Sequence, residues 1–269
     1  MYYKKQFIAI IATIVSVIVF GQTPQKYAVL IGGDPSATNI PAQSQWNAGQ
    51  NMGLNGFDEF WNDTYLMWEI LYSKKGYSNN NIFVLFNDGI DYNPQWLDDR
   101  YKSFPSYNIP QITDYSASKA NIQSVFSSLA TTVTDDDFLY VWIMSHGWND
   151  DDTQNGIYHS WVYLQGHNPA NPNAGKLYDY ELKTLLDAIP ALKKVVFIQA
   201  PGSSGFADQL QNTNTVIFTS SQQNESSYRA DDKDKYGNTI IENEVISNAT
   251  YHHGEFGFHI YSPLTHPRL

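Results

Sequence analysis

Two apolar runs in this chain end in the same way, and that coincidence limits the fold more than any other feature. Phe138-Leu-Tyr-Val-Trp-Ile-Met empties into Ser145-His146-Gly147, and Val195-Val-Phe-Ile empties into Gln199-Ala200-Pro201-Gly202-Ser203-Ser204-Gly205. Each reads as a buried strand that delivers a polar, Gly-rich turn to its carboxyl end. Lys26 to Gly33, Asn81 to Gly89 and Thr215 to Thr219 read as three further strands. Helical spacings lie between them. Trp61, Tyr65, Trp68 and Tyr72 fall at i, i+4, i+7 and i+11, and Lys74-Lys75-Gly76 then stops the helix. Ile122, Val125, Phe126 and Leu129 mark a second helix from Ser118. Leu182, Leu185, Leu186 and Ile189 mark a third, with Asp179 as its expected cap and Pro190 beyond its end. Strand and helix alternate, which predicts an α/β fold: one mainly parallel sheet, helices on both faces, right-handed crossovers. Ligands of such sheets bind beyond the carboxyl ends of the strands, so His146 and the loop after Gln199 are expected at one edge.

The connecting segments are less regular. Asp34 to Gly56 reads as a long loop, Ile90 to Tyr115 as a loop or insertion, and Asn149 to Gly175 as an irregular excursion with a short hairpin around Tyr158 to Leu164. At the amino end, Lys4-Lys5 precedes an uncharged apolar run from Phe7 to Phe20 and then Gly21-Gln22-Thr23-Pro24. This is the pattern of a secretory signal peptide, and the run is shorter than the roughly 20 residues that span a bilayer. Residues 1–21 are therefore expected to be removed, leaving 22–269 as one domain, secreted or periplasmic, with no stable membrane anchor.

Loss of Lys4 and Lys5 takes the formal charge from −11 to −13. An acidic surface repels phosphate backbones, so nucleic acid is not an expected partner. The chain has no cysteine, hence no disulfide, no thiolate metal site and no thiol nucleophile. Stability must come from packing, and 14 Phe, 7 Trp and 19 Tyr supply large areas to bury.

Gln199-Ala200-Pro201-Gly202 matches the caspase signature Gln-Ala-Cys-Gly except at the cysteine, and His146 stands 55 residues upstream, close to the spacing of that signature. With Tyr27 to Gly33, Phe60-Trp61-Asn62-Asp63, Ser145-His146-Gly147, Asn224-Glu225-Ser226-Ser227-Tyr228 and Gly254-Glu255-Phe256, most of the mature chain resembles the legumain-like family of caspase-fold cysteine peptidases. The resemblance implies a caspase-like three-layer α/β/α sandwich. It also implies roles. In that family a cysteine thiolate attacks the peptide carbonyl, a histidine handles protons, and backbone N–H groups of the cysteine and of the glycine beside the histidine hold the oxyanion. His146 matches the histidine, Gly147 the glycine and Pro201 the cysteine. Proline has neither a nucleophilic atom nor an N–H, so both functions are lost at one position.

The resemblance places substrate-binding positions as well. The pocket glutamate becomes Gln199, the later acidic residue is kept as Glu255, and Ser226 and Ser227 match the pocket-wall serines. Counting back from Asp63 puts Glu59 where the family has a pocket arginine and Phe57 where it has an asparagine that supports the histidine. The expected function is therefore a non-catalytic homologue with a residual cleft for a peptide or protein ligand. An active hydrolase using His146 with a non-cysteine nucleophile such as Ser203 is the alternative. The short stretch after Phe256 suggests a domain truncated at its carboxyl end. Asp232-Lys-Asp234-Lys-Tyr236-Gly237 lacks the ligands of a calcium loop, and His252-His253 lacks zinc spacing, so no metal and no cofactor is assigned.

Overall fold

The computed structural model describes residues 23–33, 58–93, 99–152, 157–165, 175–227, 245–246, 249–250 and 253–265. The expected signal peptide, the loop Asp34 to Gly56, Phe57, His252 and the Asp232 loop lie outside the described residues. The strands are β1 (Lys26–Gly32), β2 (Ile82–Phe86), β3 (Phe138–Met144), β4 (Gly147–Asp152), β5 (Ile157–Tyr163), β6 (Lys176–Tyr178), β7 (Lys193–Gln199), β8 (Thr215–Thr219), β9 (Val245–Ile246) and β10 (Ala249–Thr250). The main helices are α1 (Asp58–Lys74), α2 (Lys119–Thr132), α3 (Asp179–Asp187), α4 (Ser204–Leu210) and α5 (Glu255–Thr265).

Successive residues of a strand point to opposite faces, and here the two faces receive different chemistry. Ala28, Leu30, Tyr140, Trp142, Met144 and Phe197 join one core, while Val29, Ile31, Leu139, Val141, Ile143, Val196 and Ile198 join the other. The strands that carry them form one sheet in the order β2-β1-β3-β7-β8, every neighbouring pair parallel. Parallel strands need crossovers, and the crossover helices cover both faces. Trp61, Tyr65 and Trp68 of α1 and Tyr261 of α5 pack on the aromatic face, and α2, α3 and α4 pack on the aliphatic one. The result is the three-layer arrangement.

Trp61, Tyr65, Trp68 and Trp142 are fully buried. At 150–250 Å² each and roughly 25 cal/mol per Å², each ring contributes up to about 4–6 kcal/mol, the scale on which a domain without disulfides holds. The spacing-based stripe of α2 is the buried one, Ile122, Val125, Phe126 and Leu129, and the Ser118 hydroxyl caps it by accepting from Asn121 N–H at 3.3 Å.

Three segments differ from the sequence expectation. Asp179 is the first residue of α3 and not its cap; Tyr178 takes that position, with its N–H bonded to Glu181 at 3.0 Å. The buried Asp179 carboxylate instead accepts from Ser160 N–H at 2.8 Å and pairs with His159 at 3.0 Å, because β5 offers donors on the inward side. Gly147–Asp152, expected largely within an irregular excursion, is strand β4, antiparallel to β5, which in turn pairs with β6. Its sequence Gly-Trp-Asn-Asp-Asp-Asp has little intrinsic β preference, so tertiary pairing decides the conformation. Helix α5 follows Gly254 and packs on α1, an element with no clear signal in the spacing of its residues.

Candidate functional site

Ser145 and His146 form the two-residue step between β3 and β4, and the backbone there is held on two sides. Ser145 N–H donates to Gln199 O at 3.1 Å, Ser145 Oγ to Tyr163 O at 2.6 Å, and Tyr163 N–H to His146 O at 2.8 Å. The imidazole is partly exposed and lies against Phe60 of α1, ring centroids 5.0 Å apart and tilted by 56°. Gly147 makes the next contact possible. A Cβ at this residue would stand 2.5 Å from Trp161 O and 3.3 Å from Pro201 O, so only glycine lets β4 pass this close to β5 and to the turn after β7. His146, Gly147 and Pro201 thus meet at the carboxyl edge of the sheet.

The turn after β7 is stitched on every side. Ala200 N–H donates to Ser220 Oγ at 3.1 Å, Gly202 N–H to Glu225 O at 2.8 Å, and Ser203 N–H to Ser221 Oγ at 3.2 Å. Pro201 has no N–H to offer. From 200 to 203, therefore, each backbone donor is already committed inside the protein. Gly202 sits at φ +66° with its α-carbon against Asn149, a conformation that L side chains rarely adopt. Asn149 and Asn224 close the assembly with a reciprocal pair of 3.0 Å hydrogen bonds, Asn149 Nδ2 to Asn224 Oδ1 and Asn224 N–H to Asn149 Oδ1. Ser203 is 1% exposed, and its hydroxyl lies 3.3 Å from Ser221 Oγ. A nucleophile needs an approach path, and this hydroxyl is enclosed.

The positions matched to the family pocket fall in different environments. Gln199 is 4% exposed, and its amide oxygen accepts from Gly257 N–H at 2.9 Å, so it docks α5 on the end of β7 instead of lining an open pocket. Ser226 is exposed, and Ser227 shares a 2.8 Å hydroxyl contact with Ser220. Glu59 stands in the first turn of α1, one turn before Asp63. Glu255 opens α5, directly after Gly254, whose N–H reaches Asp63 Oδ2 at 3.1 Å. The backbone thus brings the Glu59 and Glu255 positions to the same helix junction; the Glu255 side chain lies outside those described.

At that junction stands a constellation that sequence reasoning did not assemble. Asp63 Oδ1 lies 2.7 Å from His253 Nδ1, and His253 Nε2 lies 2.8 Å from Tyr101 Oη. Carboxylate and imidazole are both fully buried, and Tyr101 is 1% exposed. Burial raises the Asp63 carboxyl above its ordinary range, against the pull of the His253 hydrogen bond and charge, the Tyr261 hydroxyl and Gly254 N–H. The Tyr261 phenol is pushed well up by the same burial and by Asp63. The available signal was Asp63 itself, an acid at helical spacing from Phe60, Leu66, Met67 and Ile70, all of them buried. Among the described residues no group of three or more His, Asp or Glu is placed to hold a metal ion.

The family model described as the Peptidase C13 family matches residues 26–250, more than half of the chain. Among solved structures, protein GSU0716 from Geobacter sulfurreducens is similar at 16% identity over 66% of this chain, with a TM-score of 0.38. The match spans half the length of that protein. No curated protein matches.

Proposed function

Because the chain belongs to the Peptidase C13 family yet carries proline at the nucleophile position and no cysteine anywhere, we propose that it is a secreted or periplasmic binding protein that holds a peptide at the old cleavage site without cutting it. The turn at residues 200–203 carries this reading. It supplies no nucleophile, and its N–H groups at 200, 202 and 203 are bonded internally, so a developing oxyanion would find no donor there. The alternative nucleophile Ser203 is enclosed with Ser221. No helix among the described residues is long and apolar enough to cross a membrane.

The charge of the α1–α5 junction supports a preference. Glu59 stands where the family has a cation, and Glu255 follows one residue after the tether to Asp63. Two carboxylates in a partly desolvated site gain most from a ligand cation that pairs with both. Lysine or arginine side chains are therefore expected to bind more tightly than asparagine. A peptide panel differing at that one side chain, measured by calorimetry at low and high salt alongside a cleavage assay, tests both halves. Expected are tighter binding of the basic peptides, an advantage that shrinks as salt rises, and no turnover. Turnover that vanishes in His146→Ala would overturn the non-catalytic reading, and a preference for asparagine would remove Glu59 from the site.

A further inference from the structure

Strand β8 closes one edge of the sheet, and among the described residues no strand pairs with its outer side. Exposed edges in natural proteins are commonly guarded by a charged side chain or a proline that discourages further pairing. This edge has neither: from Gln209 to Asn224 there is no charged residue and no proline. Val216 and Phe218 are 48% and 43% exposed. Both lie on the aromatic face of the sheet, in register with Val195 and Phe197. Phe218 is fixed there by stacking on Phe197, ring centroids 4.6 Å apart and planes within 8°.

The backbone directions of β8 follow from its two ends. Asn214 O accepts from Lys194 N–H at 2.8 Å, and Ser220 N–H donates to Ile198 O at 3.0 Å. Residues alternate along a parallel ladder, so the even positions of β8 turn their N–H and C=O toward β7. The C=O groups of Thr215, Ile217 and Thr219 therefore point outward, as do the N–H groups of Ile217 and Thr219. Thr215 N–H bends back to Asn212 O at 3.4 Å.

We propose that β8 pairs antiparallel with β8 of a second copy about a two-fold axis at Ile217, joining the two five-stranded sheets into one. In this register the two Ile217 residues exchange both hydrogen bonds, and Thr219 N–H of each copy reaches Thr215 O of the other. Val216 then stands opposite Phe218 of the second copy, a β-branched and aromatic pair of the kind that stabilises sheets. A shift of two residues either way would set Phe218 against Asn214, or Val216 against Ser220. The strand is thus its own complement. Charge selects the same contact, because two strongly acidic copies repel one another and can approach most closely along a neutral strip.

The absence of native cysteine makes the register directly testable in the mature chain. Position 216 faces 218 of the second copy at about 4.5 Å between α-carbons, whereas the two copies of position 216 lie roughly 8 Å apart, beyond disulfide reach. A mixture of Val216→Cys and Phe218→Cys proteins is therefore expected to form a covalent dimer under oxidation several-fold faster than either alone. Sedimentation of the unaltered protein is expected to show a concentration-dependent dimer that tightens as salt screens the repulsion. Val216→Lys changes an exposed residue, and Ile217→Pro removes an N–H that serves no bond within the sheet. Each is expected to weaken the dimer about tenfold or more with an unaltered near-UV spectrum. A monomer at the highest soluble concentration, a dimer that loosens as salt rises, or cross-linking no faster in the mixture than in either variant alone would each overturn the proposal.

Discussion

Two histidines of this protein are placed in opposite ways. His253 has what a catalytic histidine ordinarily needs, a carboxylate on one ring nitrogen at 2.7 Å and a hydroxyl on the other at 2.8 Å, but it is fully buried. His146 has the position at the sheet edge and is only partly buried, yet its Nε2 is enclosed and its ring lies against Phe60, beside a turn closed by proline. A carboxylate, an imidazole and a hydroxyl in sequence are thus not enough to make a working site. Access and a reacting atom decide the matter, and each histidine has only part of the requirement.

The largest effect expected from this contrast is on stability. His253→Ala leaves the Asp63 carboxylate buried without its imidazole, and removing one partner of such a pair costs about 3–5 kcal/mol. His146→Ala, at a partly exposed position, is expected to cost about 1 kcal/mol or less. Urea denaturation of the two variants checks the comparison, and similar midpoints would dissolve it.

A smaller loss is expected in the turn beside His146. Gly202→Ala introduces a side chain at φ +66° against the Asn149 backbone, and strained positions of this kind cost about 1–3 kcal/mol. An unchanged melting temperature would mean that the turn relaxes freely, and the argument that its N–H groups are locked would weaken with it.

A second carboxylate sharpens the contrast through pH. Burial alone would raise Asp137, but N–H groups of Thr134 and Gln25 and the Thr134 hydroxyl hold it below its ordinary value. A carboxyl with a lowered folded pKa contributes stability that is present above its unfolded value and is lost as pH falls through the lowered folded value. Asp137→Asn should therefore cost about 1 kcal/mol at pH 7 and remove part of the acid sensitivity seen in a pH series of urea melts. Asp63, raised instead of lowered, has the opposite sign, so the two carboxylates separate in the same series.

The smallest expected effect is on catalysis. Pro201→Cys restores a thiol and an N–H at once, yet peptide hydrolysis is expected to stay at or near the detection limit, since the proposed register puts Glu59 at the family's arginine and Phe57 at its asparagine. Efficient asparaginyl cleavage by this single variant would show that the pocket still works.

The sheet and its helices were legible because burial on both faces leaves uninterrupted apolar runs, such as Phe138 to Met144, and because α2 repeats its apolar residues at helical spacing. Position 201 was legible for a chemical reason, since no arrangement of proline provides a nucleophile. What escaped was set by contacts between distant segments. Strand β4 is polar and takes its conformation from β5. Gln199 looked like a pocket residue, and only the placement of α5 reveals that its amide serves Gly257. Asp63 and His253 gave no local sign of each other, because spacing rules act over a few residues.

The Asp63–His253 pair spans 190 positions, and that span has a consequence for how the chain is made. At roughly 5–20 residues per second, α1 leaves the ribosome about 10–40 seconds before His253 does. During that interval Asp63 has no imidazole to meet, and seating α1 on the sheet would desolvate its carboxylate alone. Docking of α1 is thereby coupled to the arrival of a segment translated much later. The aromatic stripe of α1, Trp61, Tyr65 and Trp68, stays in want of a surface for as long as the wait lasts.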